Sequence, residues 1–563
     1  MKTAEYRKPE TAGVTRKARL FQTPVWQDAA LCLSFANVSF FRIWEETLDY
    51  RPTETIGMTH IPSPADYWAA MSSVLLVAAV LFAGLRFSRN HLDAGSFRFV
   101  RFGAFALLAI PANGFRVGLS PYSKYFRSPL LEWLGPRTLL FVVAPILAAT
   151  VWCLWKWQEP IWKGLTKVFL ALLPLCAMTF GQAAWRIVSY PGDLLGDRAP
   201  APVLAHARTS PRVVWAIFDE WDYRLTFVDR PAGLSLPAID RLRAESIFAV
   251  RAVSPGMDTG TSVPSLVTGR PLRLGGVSRA ASAPPGVPLF SETGNRSERF
   301  RLDQVPSIFS AARESGYNSA LIGWYLPYCR MLNAFVTSCA WWPVPTQFNS
   351  TGDSYLEKVR GQTISLVETD TVSPFGQSSA VRQKARMAQA YMERATAAVT
   401  DPNQDFVFLH VPVPHAPHAY DRVTGRFDKK NAPLSGYIDS LSLTDRMLGQ
   451  LRQDMEARGL WNHTAVILSA DHPYRESRGI DGKFDARVPF LVKLPGPDNP
   501  AVLEAPLHTI VTAQLVLGIL DGSITNMSDA LKWLEQHAQD TSAPVPSRGA
   551  LSVKGRGGEG TAR

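Results

Sequence analysis

Residues 213–222 read VVWAIFDEWD, an uncharged run of β-branched and aromatic side chains that ends on two adjacent acids, Asp219 and Glu220. A run this short, with no polar alternation to mark a wet face, has the pattern of a strand covered on both sides of a sheet. The form recurs twice. TAVILSADH (464–472) ends on Asp471 and His472, and FVFLHVPVPHAPH (406–418) runs through His410 to His415 and His418.

Around these runs, Val213–Phe218, Ile247–Val253, Ser319–Ile322, Phe406–Val411, Ala465–Leu468 and Phe490–Val492 read as strands. Pro237–Glu245, Pro306–Glu314, Ser379–Val399, Leu434–Glu456 and His508–Leu520 read as helices. This alternation predicts an α/β domain with a largely parallel central sheet, whose chemistry belongs in the loops at the carboxyl ends of the strands. Asp219, Glu220, Asp471 and His472 stand at such ends, and carboxylates converging with an imidazole suit a divalent cation. Each motif alone has a plainer explanation, a helix N-terminus for the first pair and a turn for the second. Together they predict a metal site.

The 563-residue chain is 46% apolar, enough for a large core and membrane segments besides. Tyr67–Leu85, Thr138–Trp155 and Val168–Trp185 approach the roughly 20 residues that cross a bilayer, while Ala29–Phe41 and Phe102–Phe115 are shorter. If all five cross, the basic clusters Lys2–Arg19, Arg86–Arg101 and Lys156–Lys167 share one side. The positive-inside rule makes that side cytoplasmic and places everything after Arg186 outside. The expected layout is a cytoplasmic tail over 1–24, an α-helical transmembrane domain of about five spans over 25–187, a linker over 188–210, the α/β domain over 211–522 and a mostly disordered tail over 523–563. No cleavable signal peptide is evident, so the first span would serve as an anchor. The lipid bilayer is thus an expected partner. Nucleic acid is not, because much of the net charge of +11 lies in the cytoplasmic flanks and no binding motif accompanies it. Cys329 and Cys339 are the two cysteines outside the membrane part, where an oxidising compartment favours a disulfide; two buried thiols are the alternative.

Residues 254–270, SPGMDTGTSVPSLVTGR, place Thr259, Thr261 and Ser262 behind glycines and ahead of Pro264. That is the start of a helix, whose free N–H groups favour an anion; a plain helix cap has the same pattern. LPAIDRLRAESIFAVRAVSPG (236–256), PSLVTGR (264–270), ESGYNSALIGW (314–324) and GKFDARVPFLVKLPG (482–496) follow one another in an order that resembles the sulfatase-like branch of the alkaline phosphatase superfamily, over Pro211 to Gly522. Membrane spans followed by such a domain resemble the layout of bacterial phosphoethanolamine transferases and lipoteichoic-acid synthases. Those enzymes carry a pattern like T-x-x-S-x-P, which here is Thr259, Ser262 and Pro264.

The resemblance implies that Thr259 is the nucleophile, with Thr261 second, and that Asp219, Glu220, Thr259, Asp471 and His472 hold a divalent metal, zinc or manganese first and calcium or magnesium as alternatives. It implies that His415 stabilises the substrate or protonates the leaving group, and that Lys483 or Arg487 binds the phosphate. His410 and His418 are not expected to take part. Three departures stand out. Leu266 replaces the arginine of the formylglycine pattern, Gly323–Pro327 (GWYLP) lacks the usual lysine and histidine, and no further histidine follows His472 before Pro489. The expected function is therefore a metal-dependent phospho-group transferase or hydrolase at the outer face of the cell (inner) membrane, acting on a membrane phospholipid or another phosphoester. The alternatives are a sulfatase- or phosphatase-type ester hydrolase using Ser262, and a non-catalytic membrane protein that retains the fold.

Overall fold

Arg212–Asp219 forms strand β1, buried along its whole length as its uncharged run predicts. In chain order there follow β2 (Ile247–Ala249), β3 (Ser319–Trp324), β4 (Ser338–Trp342), β5 (Phe406–Pro414), β6 (Thr464–Ala470), β7 (Phe490–Lys493) and β8 (Ala501–Leu503). They make one eight-stranded sheet in the order β8-β2-β7-β6-β1-β5-β3-β4. From β6 to β4 all neighbours are parallel; β7 runs against both β6 and β2. Helices cover the sheet, so the central strands need no polar face.

This computed structural model describes residues 24–49, 62–118, 136–190, 199–205, 211–277, 287–294, 298–344, 354–367, 379–427, 433–496 and 500–545. Parts of the expected linker and most of the expected N-terminal tail lie outside them. The described residues divide into two compact units, one built from those within 24–49, 62–190 and 354–367 and the other from the remainder.

In the first unit, three helices are long and apolar enough to cross a membrane: Pro64–His91, Ala94–Phe115 and Gln158–Val188. The expected Ala29–Phe41 segment is divided between helices Val25–Ser39 and Phe41–Leu48, and Thr138–Trp155 falls within Pro136–Lys156. Ala36, Phe40, Trp44, Tyr67, Val74 and Ala183 pack into one core. The chain returns after β4 to add helix Tyr355–Ser365 to this unit, which the sequence did not foretell. Its Lys358 donates to the fully buried Asp66, and Ser73 Oγ donates to the Val359 carbonyl at 3.2 Å. Ionic and polar pairs separated by some 290 residues leave no periodic trace in a sequence.

The second unit carries the sheet. Arg212, 1% exposed, opens β1 and spends its guanidinium on the carbonyls of Ala398, Val399, Asp401 and Gln404, at and just beyond the end of helix Ser379–Thr400. A cation there satisfies carbonyls the helix cannot and favours its negative end. Cys329 and Cys339 form a disulfide with a Cα–Cα distance of 5.7 Å, tying the short helix after β3 to β4. The expected run Ile247–Val253 is two short strands, β2 and Ala252–Val253. The segment expected as a disordered tail needs correction as far as Val545. Met527–His537 is a helix, and Met527, Ala530 and Leu534 bury a helical stripe in the core.

Candidate active site

Asp219 and Asp471 meet because β1 and β6 are adjacent and in register. Phe218 pairs with Ala470, so the next residue of each strand leaves the sheet at the same height. On the other side β1 pairs with β5, with a register shift at Asp219 opposite Pro414, and His415 follows directly. Thr259 is the first residue of helix Thr259–Thr268, whose N-cap Asp258 accepts from the Thr261 amide. Thr259 Oγ1 donates to Asp471 Oδ2 at 2.9 Å and lies 3.5 Å from His472 Nε2. The other two hydroxyls of the motif are differently placed. Thr261 Oγ1 donates to Asp258 Oδ2 at 3.0 Å, and the buried Ser262 Oγ has no hydrogen-bond partner among the described residues.

Ligand-type atoms of Asp219, Asp471 and His472 lie within 4.8 Å of one another, and these residues are 0%, 0% and 1% exposed. Two buried carboxylates side by side are costly unless a cation joins them. Burial, and next the charge of Asp471, holds the Asp219 carboxyl well above the ordinary range. Trp324 Nε1 donates to Asp219 Oδ2 at 3.0 Å, whereas buried Oδ1 has no hydrogen-bond partner among the described residues. His472 Nδ1 is 3.0 Å from the Pro473 carbonyl. A carbonyl only accepts, so Nδ1 carries a proton and Nε2 faces the acids, 3.5 Å from Asp471 and 3.7 Å from Asp219. Burial lowers the His472 pKa but Asp471 and then Asp219 raise it past the ordinary value, and a cation bound between them would take the Nε2 lone pair of the neutral ring. An orphaned carboxylate oxygen, a second carboxylate and a free imidazole lone pair fit a divalent cation.

The other expected site residues are not drawn into this group. Glu220 is 6% exposed, but its Oε1 accepts from Arg475 Nε at 3.2 Å and Nη2 at 3.0 Å. Its backbone explains the turn away: φ is 63°, the amide is bound to Asp471 Oδ1 and the carbonyl to Tyr437 Oη. Lys483 Nζ pairs with Asp229 at 3.0 Å, and Arg487 binds Asp485 and lies over the Tyr223 ring. The two expected substrate-binding residues are thus each paired with an acid outside the Asp219–Asp471–His472 group.

His415 packs edge-on against Trp324, and its Nδ1 lies 2.7 Å from the Ala416 carbonyl. By the same argument its neutral form presents Nε2 as an acceptor. Burial pushes its pKa below the ordinary histidine value; Glu220 pulls it up and Lys384 adds to the depression. Lys384 was missed in the sequence. Its buried ammonium donates to the carbonyls of Pro412 and His415 and stands over the Trp324 ring, and burial pushes it down to about 7. A signal was present, because Lys384 falls in step with the buried Val381, Ala388, Tyr391 and Ala395 on one helix stripe. His410, not expected to take part, is fully buried with Nε2 3.9 Å from Asp219 and 4.0 Å from Asp471. Burial takes it to about 4, so at neutral pH these approaches are not ion pairs. Among the described residues the non-glycine positions with positive φ are Glu220 and Tyr325, both at strand ends of this site, and strain of this kind gathers where a site over-determines its backbone.

Residues 216–521 match the family model described as Sulfatase. Over 110 residues the chain is 31% identical to an ulvan-active sulfatase of Formosa agariphila; the match covers 17% of this chain and 21% of that protein, so the chain spans about a fifth of the length of the curated relative it matches. Among solved structures, a phosphonate monoester hydrolase of Agrobacterium radiobacter aligns with a TM-score of 0.38 and 15% identity, over 57% of this chain and 77% of that one. Lipoteichoic acid synthase LtaP from Listeria monocytogenes aligns with a TM-score of 0.34 and 15% identity, over 58% and 76%.

Proposed function

The chain belongs to the sulfatase family, within the alkaline phosphatase superfamily, and from that premise we propose that it is a metal-dependent, membrane-anchored phospho-group transferase or hydrolase with Thr259 as nucleophile. The observation that carries this is the 2.9 Å hydrogen bond from Thr259 Oγ1 to Asp471 beside the buried Asp219 and His472. Asp219, Asp471, His472 and Thr259 would hold a divalent ion, zinc or manganese before calcium or magnesium. Bound there, the ion would lower the pKa of the threonine hydroxyl and offset charge on the substrate's oxygens.

The chain's own residues divide the remaining work. Asp471 receives the Thr259 proton as an Oγ1–P bond forms and the bond from phosphorus to the leaving alcohol oxygen breaks. The leaving oxygen takes a proton from solvent, and the positive end of helix Thr259–Thr268 faces the developing anion. His415 Nε2 then accepts a proton from the acceptor hydroxyl or water as its oxygen bonds phosphorus and the P–Oγ1 bond breaks; Asp471 returns its proton to Thr259 Oγ1, and His415 releases its own to solvent. This assigns His415 as a base, in place of the roles implied by sequence, stabilising the substrate or protonating the leaving group, because burial favours its neutral form. The sign for pH follows. A base with a lowered pKa loses activity as pH falls through that pKa, so the acid limb attributable to His415 lies below 6.5, and His415→Gln is expected to remove it from the kcat profile.

Five spans with the basic loops inside would put this domain outside the cell (inner) membrane, where a phospholipid headgroup is the substrate we favour; nucleic acid is not a proposed partner. The test is intact-mass measurement on full-length protein incubated with headgroup-labelled phospholipid. Wild type is expected to acquire a phospho-group adduct and Thr259→Ala to lose it, with turnover down roughly a thousandfold or more. An adduct that survives in Thr259→Ala and disappears in Ser262→Ala supports the ester-hydrolase alternative instead. Ser262 is buried like Thr259, but among the described residues no acid accepts its proton.

A further inference from the structure

An ester of phosphoric or sulfuric acid brings negatively charged oxygens to Thr259, where Asp219 and Asp471 repel them. A cation of the chain is needed to receive the far side of that group. Lys384 is buried and donates to two carbonyls, and Lys483 and Arg487 are held by Asp229 and Asp485. Arg475 is placed differently. It follows His472 by three residues in the loop leaving β6, and its side chain is 49% exposed. Nε and Nη2 both reach the same Glu220 oxygen, and Nη1 has no partner among the described residues. Glu220 is linked through its amide to Asp471, the acceptor of the Thr259 proton.

We infer that Arg475 is a substrate-binding residue that receives a non-bridging oxyanion of the ester's phospho or sulfo group, on the seat that the Glu220 carboxylate occupies in this structure. The inference rests on the proposed reaction at Thr259. Three features support the exchange. The Glu220 backbone is strained and pinned at both its amide and its carbonyl, so the carboxylate is aimed at the guanidinium from a fixed origin. The guanidinium is half-exposed, so an incoming anion can reach it, whereas the Glu220 carboxylate is 7% exposed and would need the site's cation as its new partner. Phosphate and sulfate offer a guanidinium fork two oxygens at once, whereas Glu220 offers one. Released from Arg475, Glu220 would also be free for the ligand role the sequence implies.

The test uses the full-length protein and two probes, inorganic phosphate and inorganic sulfate. In a Thr259→Ala background, Arg475→Ala is expected to weaken calorimetric binding of at least one anion about tenfold or more. The anion more affected identifies the ester class. With active protein, Arg475→Ala is expected to raise KM about tenfold with a smaller change in kcat, Arg475→Lys to recover part of the loss, and bound metal to match wild type. Unchanged anion binding and KM in Arg475→Ala would overturn the inference. So would a loss of bound metal that accounts for the whole defect, since Arg475 would then act only by holding Glu220. If Thr259→Ala left turnover intact, the proposed reaction would fall while the binding measurement still decided Arg475.

Discussion

Asp471→Asn is expected to lower turnover roughly a thousandfold or more and yet to raise the melting temperature of protein kept in chelator. The substitution preserves shape. Asn Oδ1 still accepts from the Glu220 and His472 amides, but Nδ2 now meets Thr259 Oγ1, where Oδ2 accepted a proton at 2.9 Å. The nucleophile loses its acceptor and the cation loses a ligand. Without metal, however, the wild-type protein bears the repulsion of two fully buried carboxylates. The sign follows from Asp219, whose pKa is raised in the folded state by burial first and Asp471 second. A raised carboxyl costs stability above its unfolded pKa, near 3.8, and costs nothing where both states are protonated. In chelator at pH 7, Asp471→Asn should therefore melt higher than wild type. The difference should fade toward pH 4, and with saturating zinc or manganese the order should reverse. A lower melting temperature in chelator at pH 7 would mean that the two acids do not oppose each other.

Gly269→Ala is expected to have the largest effect on folding. Gly269 ends the nucleophile helix with φ of 68°, and an added Cβ would stand 1.7 Å from the backbone oxygen of Ala543. The segment at 543–545 is fixed there, with Ala543 N donating to Gly269 O at 2.7 Å and Val545 N to Thr268 O at 2.9 Å. Left-handed backbone costs about 1 kcal/mol for alanine, and forcing two backbones apart adds about 1–3 kcal/mol. The sum is about 2–4 kcal/mol, a fall in Tm of roughly 3–7 °C for a unit of this size. Gly233 is the control. It has φ of 75° with nothing within 4 Å of a built Cβ, so Gly233→Ala should show the backbone cost alone. Equal shifts for the two variants would mean that the 543–545 segment is not seated on the helix.

The main sheet and the centre of the site are legible for one reason, that both follow from local pattern. Uncharged runs at 213–218 and 464–470 make adjacent parallel strands, and the residues just past each run share one edge. The positions of the cysteines pointed to the Cys329–Cys339 bond in the same way. What sequence could not supply is the partner of a cation. Lys483 belongs to Asp229, more than 250 positions away, and the Glu220–Arg475 pair depends on a backbone angle that no residue type announces. Helix Tyr355–Ser365 was hidden similarly, since its Lys358 answers a buried Asp66. Lys384 is the instructive omission. Its place on an apolar stripe was visible, and a lysine in such a place has a buried partner to find.

The account's central claim is that Asp219, Asp471 and His472 hold a cation beside Thr259. Elemental analysis of the purified full-length protein tests it most directly. Wild type is expected to carry about one equivalent of a divalent metal per chain, and Asp219→Ala to carry almost none. Wild type that binds no metal after zinc or manganese loading, or Asp219→Ala with an undiminished content, would contradict it.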